Sequence, residues 1–333
     1  MVEKVILYTS YQSFHSQKVL IYLYEKEVEF ETCVLDAENG ENYTSWYLNI
    51  NPRGELPTLE VEDKFISGSD EIIDYVKQKV LGRQSLKSTS SPGQELKLNS
   101  IQAKLLDVPV EQLIFGTAYF PQCRTSDVPP FNSESFRAKM IRYNETRCQT
   151  LRLISKENSG TPAEAILLAK AIEYTTKTRK YADQEEHQKI LKQILSVLEE
   201  MENHLSKKFF NEDEQKYPFY MEFQLKGKAL TDIDCLLAVI LHQLEYLGYN
   251  TYITRWFALS RWWKIVQKRD SFQRSTKVPI FNIPVLKRKI SEHRFKIITV
   301  LGLFAAFAFG YSYRSSRSHN QTMTRFIILE KLW

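Results

Sequence analysis

Serines stand at two places where a predicted strand passes into a predicted helix. Ser13 and Ser16 follow an apolar run at residues 4–8, and Ser69 opens a later helical pattern. A serine at such a junction caps a helix, because its hydroxyl accepts a hydrogen bond from a first-turn N–H. A helix N-terminus with a hydroxyl beside it also suits a carboxylate ligand. The residues alone leave both uses open.

The cysteines form neither a metal-binding nor a disulfide pattern. Cys33, Cys123, Cys148 and Cys235 lie far apart, and the chain contains no C-x-x-C pair. We therefore expect no metal site, no resident cofactor and free thiols, as is usual in a reducing compartment.

The first eighty residues predict a small α/β unit in the order βαβ, then α, β, β, α. Strand patterns occupy 4–8, 29–34, 58–61 and 64–66, and helical patterns occupy 16–27, 46–50 and the stretch from Ser69. The parallel βαβ half fixes the handedness of the unit.

The rest of the chain predicts helices. Residues 94–119 are compatible with one helix, which Pro109 is expected to kink. Residues 135–156 and 163–207 are two strongly helical stretches. Thr231 and Asp234 open a further helix in the Thr-x-x-Asp spacing of a capping box, so we assign them a structural role.

The motif at residues 51–59, NPRGELPTL, resembles the thioredoxin-like domain of glutathione transferases. The resemblance implies that Pro57 follows a cis peptide bond. It also implies that Leu56 offers its backbone N–H and C=O to the cysteinyl part of glutathione.

Two parts of the implied site depart from the family pattern. An acidic residue precedes the serine at the start of the third helix in that family, whereas Gly68 precedes Ser69 here, so Asp70 would have to supply the carboxylate. The hydroxyl that stabilises the glutathione thiolate is expected at Ser13, or at Ser16 as the second choice. We therefore expect glutathione to be a weak ligand or substrate.

The resemblance covers residues 4–82 and 95–275 and implies an α/β plus all-α fold of the glutathione transferase type. The expected segments are a thioredoxin-like domain at 1–82, a linker at 83–94, a helical domain at 95–275 with a long insertion at about 120–190, a basic linker at 276–296, a transmembrane helix at 297–313 and a tail at 314–333.

Residues 297–313 contain no charged side chain and predict a membrane anchor. A helix of this length rises roughly 25 Å, close to the hydrocarbon thickness of about 30 Å. Twenty residues follow it, so we expect insertion after synthesis, with the bulk of the protein facing the cytosol. The alternative is a buried C-terminal helix of a soluble domain, which usually carries polar positions at helical spacing.

Charge is distributed unevenly along the chain. Residues 1–80 hold 7 Lys and Arg against 15 Asp and Glu, whereas residues 255–333 hold 16 against 3. A basic segment beside an apolar helix is attracted to anionic lipid, and Lys287, Arg288 and Lys289 are the expected targeting charges. No nucleic-acid motif accompanies them, so we expect a membrane partner and no nucleic acid.

Small side chains recur every fourth residue of the predicted anchor. Such a face lets two helices approach closely, which is one route to a homodimer. The alternative is that Gly and Ala are simply common residues of membrane-spanning helices. The residues expected to face the membrane or a second anchor are Leu301, Gly302, Phe304, Ala306, Phe307 and Gly310.

Together these features resemble a tail-anchored branch of the glutathione transferase superfamily. That resemblance implies a protein of the mitochondrial outer membrane, and secondarily of peroxisomes. It also implies that the protein regulates mitochondrial network morphology and promotes fission, with fission or cytoskeletal proteins as partners. Two other functions stay open: an active glutathione transferase at the membrane surface, and a non-catalytic carrier of fatty or other apolar ligands.

Overall fold

The computed structural model describes residues 5–37, 40–80, 100–209 and 229–277. All of them belong to one compact unit, residues 1–279. The predicted anchor, its flanking charges, the tail and the 83–94 linker lie outside the described residues. None of the helices in the described part is both long enough and apolar enough to span a bilayer.

The N-terminal domain is built on a four-stranded sheet. The strands are β1 (Val5–Thr9), β2 (Glu31–Val34), β3 (Thr58–Val61) and β4 (Lys64–Ser67), in the spatial order β2-β1-β3-β4. β1 pairs with β2 in parallel and with β3 antiparallel, and β3 pairs antiparallel with β4. The helices are α1 (Phe14–Glu25), α2 (Ser45–Ile50) and α3 (Ser69–Tyr75). This is the order that the sequence predicts for a thioredoxin-like domain.

The remainder is helical. A helix that includes residues 100–106 is α4. It is followed by α5 (Val110–Tyr119), α6 (Glu134–Glu157), α7 (Pro162–Tyr181), α8 (Gln184–Phe209), α9 (Asp232–Leu247), α10 (Asn250–Thr254), α11 (Phe257–Val266) and α12 (Asp270–Thr276). Within the stretch predicted as an insertion, α6 and α7 pack against each other.

Two helical stretches are divided where the sequence predicts continuity. Residues 94–119 were expected to form one kinked helix, but α5 begins afresh after Pro109, because proline lacks an N–H and its ring disfavours a helical residue before it. The 163–207 stretch breaks at Asp183, whose carboxylate accepts hydrogen bonds from the N–H groups of Glu185 (2.8 Å) and Glu186 (3.1 Å). Asp183 therefore starts a new helix, α8.

Helix α9 forms the centre of the core. Thr231 Oγ1 accepts from Asp234 N at 3.2 Å, and Asp234 Oδ2 accepts from Thr231 N at 2.9 Å, so the predicted capping box is present. The helix packs against α1 and α11. Among its neighbours, Trp262 and Trp263 are 1% and 2% exposed.

Glu25, at the end of α1, joins the two domains. Its carboxylate accepts hydrogen bonds from Arg269 Nη2 at 2.6 Å and from Leu230 N at 2.8 Å, and also from the Ser271 hydroxyl. Burial alone would raise the pKa of Glu25, but these donors hold it below its ordinary value. The ionised carboxylate therefore fixes the position of the thioredoxin-like domain against the helical domain.

Candidate ligand-binding site

A cavity of about 370 Å³ lies between the two domains. His15 and Lys18 of α1 and Ser69 and Asp70 of α3 form its polar wall. The helical domain contributes a mixed wall, which consists of Leu105, Leu106, Val108, Pro109, Val110, Glu111, Gln112, Lys177, Lys180, Tyr181 and Leu236. The cavity thus combines charged groups with an apolar surface, which is the usual composition of a small-molecule site.

Lys18 is the most constrained charge in this cavity. Its side chain is 2% exposed, and its Nζ lies 2.5 Å from Asp70 Oδ1. A buried ammonium needs such a partner, because leaving one buried charge unpaired is strongly destabilising. Asp70 is therefore already bound by Lys18, although the sequence predicts it as the carboxylate for a ligand.

The space beside Gly68 is also occupied. Gly68 has φ +102°, and a Cβ built there would lie 2.1 Å from Glu71 Oε2. A side chain at this position would be strained by the backbone and would have to displace the Glu71 carboxylate. Glu71 was not singled out from the sequence. Its signal is its place three residues after the N-cap, where a capping-box glutamate folds back.

Ser69 contacts two neighbours in the polar wall. Its Oγ lies 3.4 Å from His15 Nδ1 and 3.4 Å from Asp70 Oδ2. Burial away from water is the main reason that the pKa of His15 lies below its ordinary value, and the nearby Lys18 charge lowers it further. A neutral imidazole therefore lies beside Ser69 at pH 7. The two residues are 54 positions apart, so no local sequence pattern predicts this pair.

The two serines proposed for catalysis both serve the helix start. Ser13 is the N-cap of α1 and accepts a hydrogen bond from Ser16 N at 3.3 Å. Ser16 is 0% exposed, and its hydroxyl accepts from Ser10 N at 3.4 Å. Neither serine lines the cavity. Helix capping is thus the observed role of Ser13, and Ser16 faces the interior.

The turn from Asn51 to Thr58 is held by its own side chains. Asn51 Nδ2 donates to Glu55 O and to Thr58 Oγ1, both at 3.0 Å, and Tyr47 Oη donates to Glu55 O at 2.6 Å. Lys170 of α7 adds a hydrogen bond to Arg53 O at 3.1 Å. These bonds define the backbone around the Leu56–Pro57 peptide.

The Leu56–Pro57 bond is cis, as the family resemblance implies. Among the described residues, none forms a hydrogen bond with the backbone N–H or C=O of half-buried Leu56. Pro57 is buried and its carbonyl accepts from Gly68 N at 3.4 Å, which connects the turn to the start of α3. Neither residue lines the cavity.

A second polar cluster, which no sequence motif predicts, lies at the helical side of the cavity. Glu111 accepts hydrogen bonds from Tyr181 Oη at 2.7 Å and from Tyr174 Oη at 3.1 Å, and it pairs with Arg147. The guanidinium of Arg147 lies 3.7 Å from the centre of the Tyr174 ring. Burial alone would raise the pKa of Glu111, but Arg147 and Tyr181 hold it below its ordinary value. Its residues come from three helices, so only the fold brings them together.

No group of three or more His, Cys, Asp or Glu side chains is placed to hold a metal ion within the described ranges.

The N-terminal part of the chain is similar to a known protein family. Residues 7–84 match the family described as Glutathione S-transferase, N-terminal domain. The chain is also 28% identical over 250 residues to human Ganglioside-induced differentiation-associated protein 1-like 1, covering 74% of this chain and 66% of that protein. Its Mus musculus counterpart is 27% identical over 253 residues. The chain spans just under two thirds of the length of these two relatives.

A solved structure supports the fold. Beta-etherase LigF from Sphingobium sp. strain SYK-6 superposes with a TM-score of 0.51 and is 18% identical, covering 82% of this chain and 98% of that chain. In sequence, Protein LigF is 37% identical over 70 residues, 21% of this chain and 27% of that protein. The chain thus has a glutathione transferase-like fold, with a thioredoxin-like N-terminal domain and a helical C-terminal region.

Proposed function

We propose that this glutathione transferase-like protein is a membrane-tethered regulatory protein and not a conjugating enzyme. In this proposal residues 297–313 anchor it in the mitochondrial outer membrane with its bulk towards the cytosol, and peroxisomes are a second location. It regulates mitochondrial network morphology and promotes fission. The similarity to Ganglioside-induced differentiation-associated protein 1-like 1 and the basic residues around the uncharged run support this assignment.

The observation that carries the non-enzymatic part is the Lys18–Asp70 pair. The γ-glutamyl ammonium of glutathione requires a carboxylate beside Ser69, and Asp70 is held by Lys18 at 2.5 Å. The ligand would have to compete for Asp70 while Lys18 stays buried, and an unmet charge costs on the order of 1–3 kcal/mol or more. This favours weak glutathione binding.

The tether is tested by charging its centre. Leu303, Phe304 and Phe307 replaced together by Asp should release the protein from membranes. Each central charge costs about 2.5–3.5 kcal/mol on insertion scales. The measurement is the fraction of protein in the membrane pellet after carbonate extraction.

The matched control replaces the same three residues by Ile, Leu and Leu, which preserves the apolar character of the segment, and should stay in the pellet. If the Asp variant is retained as well as the control, residues 297–313 are not the tether.

An active transferase is the second candidate, and the backbone of Leu56 favours it. Its N–H and C=O have no partner among the described residues, as a site for the glutathione backbone requires. Ser13 would then supply the activating hydroxyl. Retention on immobilised glutathione, with turnover that is lost in Ser13→Ala at unchanged stability, would favour this candidate.

A carrier of apolar ligands is the third candidate. Phe14, Leu105, Leu106, Val108 and Leu236 give the cavity an apolar wall.

The main proposal also includes partners. The tethered protein would form a homodimer through Gly302, Ala306 and Gly310, and it would bind fission or cytoskeletal proteins.

A further inference from the structure

Helix α11 has two contrasting faces. One face is buried in the core and consists of Ala258, Leu259, Trp262, Trp263 and Val266. Phe257, Arg261 and Lys264 are spaced to share the opposite face. Phe257 is 61% exposed, so this large apolar side chain contributes little to the core. The outward face therefore combines an exposed aromatic ring with basic residues.

Two arginines at this face lie over aromatic rings. The guanidinium of Arg261 lies 5.3 Å from the centre of the Phe257 ring, and that of Arg255 lies 4.8 Å from the centre of the Trp256 ring. We call Arg255, Trp256, Phe257, Arg261 and Lys264 the α11 face.

The three cations of the α11 face form no ion pair within the described part of the chain. The nearby carboxylate of Glu202 accepts hydrogen bonds from Ala258 N (3.0 Å) and Leu259 N (2.8 Å), so it caps the helix start. The positive charge of the face is thus available to an external anion.

We propose that the α11 face docks on the surface of a bilayer that contains anionic lipid headgroups. Basic side chains attract such headgroups, and exposed aromatic rings beside them insert at the depth of the headgroups. Residues 278–333, which follow α12 directly, hold nine Lys and Arg against two Asp and Glu, so the same charge preference continues in the sequence. The face would orient the folded unit on the membrane, independently of whether residues 297–313 form the tether.

The rate at which a soluble reagent acetylates Lys264 tests this docking, measured on the full-length protein bound to vesicles. In vesicles containing phosphatidylserine, acetylation of Lys264 should slow at least about threefold relative to pure phosphatidylcholine vesicles, because lipid covers the face. Roughly 0.5 M salt should abolish the difference, since it screens charges beyond a few ångströms. Lys64, which is exposed on β4, is the internal reference and should react equally in both vesicle types.

Charge reversal identifies the residues responsible. Arg255→Glu with Arg261→Glu should abolish the protection of Lys264. Arg142→Glu with Arg152→Glu makes the same change of charge at exposed positions of α6 and should leave it intact. Circular dichroism of each variant verifies the fold.

Equal Lys264 rates in neutral and anionic vesicles would overturn the proposal, as would loss of protection in the α6 control pair. Protection by a soluble single-stranded nucleic acid, without protection by vesicles, would assign the face to nucleic acid instead. Carbonate-resistant association with neutral vesicles reports the tether separately, so the two proposals fail independently.

Discussion

The two ends of the implied glutathione site have kept very different amounts of the family's arrangement. The turn that contains Leu56 and Pro57 has the expected cis bond, and the backbone groups of Leu56 are available. At the start of α3, Gly68 replaces the acid and Lys18 holds Asp70. The turn thus offers backbone groups to a peptide-like ligand, whereas Asp70, at the start of α3, offers no unpaired carboxylate.

The difference follows from what each end does for the fold. Asn51, Tyr47 and Lys170 bond the backbone of the turn, so the turn is needed whether or not a ligand binds. At the start of α3, by contrast, Ser69 and Asp70 line the cavity with their side chains and do not hold the backbone of the turn. A scaffold can therefore keep its turn while its ligand preference changes.

A contrast between two histidines gives the largest expected effect. His187 is 0% exposed, and burial lowers its pKa to about 4, whereas His15 lies at the cavity wall. The unfolded chain binds a proton near pH 6.5, so the stability that His187 contributes is complete above pH 6.5 and is lost as the pH falls towards 4. We expect a loss of about 3 kcal/mol over this range, at 1.36 kcal/mol per pKa unit.

Urea unfolding at a series of pH values measures this loss. His187→Gln should reduce the slope of the profile, of which His242 keeps a part because burial also lowers its pKa to about 4. His15→Gln, the matched control, should change the slope much less. An unchanged profile in His187→Gln would show that other groups carry the pH dependence.

The next effect compares the two ends of the site directly. Asn51 is 2% exposed. Its Nδ2 donates two 3.0 Å hydrogen bonds, and its Oδ1 accepts a third from Arg53 N at 3.0 Å. Asn51→Ala should therefore destabilise the protein by about 3 kcal/mol, at about 1 kcal/mol for each lost bond. Ser69→Ala removes only contacts of 3.4 Å and should cost less than about 1 kcal/mol.

Thermal unfolding of both variants is the measurement. Equal destabilisation would mean that the start of α3 supports the fold as much as the turn does, which would remove the physical basis of the comparison.

Local sequence patterns were sufficient for the α/β domain and for the capping box of Thr231 and Asp234. Each depends on residues close in the chain, such as the alternation of a strand or the spacing of a cap. The sequence did not predict the break at Asp183, because helical periodicity continues on both sides of this single capping residue.

Local patterns predicted less of the candidate site, because its residues are distant from one another in the sequence. Lys18 and Asp70 are 52 residues apart in sequence, and Glu111 meets Arg147 and Tyr181 only after three helices have packed. Ser13 matched both a cap and a catalytic hydroxyl, because the two roles use the same residue at the same junction.

Calorimetric titration of the full-length protein with glutathione, beside the Lys18→Met variant, tests the central claim most directly. Since Lys18 pairs with Asp70, the unaltered protein should bind glutathione with a Kd above about 1 mM. This corresponds to less than about 4 kcal/mol of favourable binding free energy. Lys18→Met frees the Asp70 carboxylate for the ligand's ammonium and should strengthen binding about tenfold, whereas the control Lys177→Met, in the same cavity wall, should not. A micromolar Kd for the unaltered protein, or binding that weakens in Lys18→Met, would contradict the account and favour the transferase.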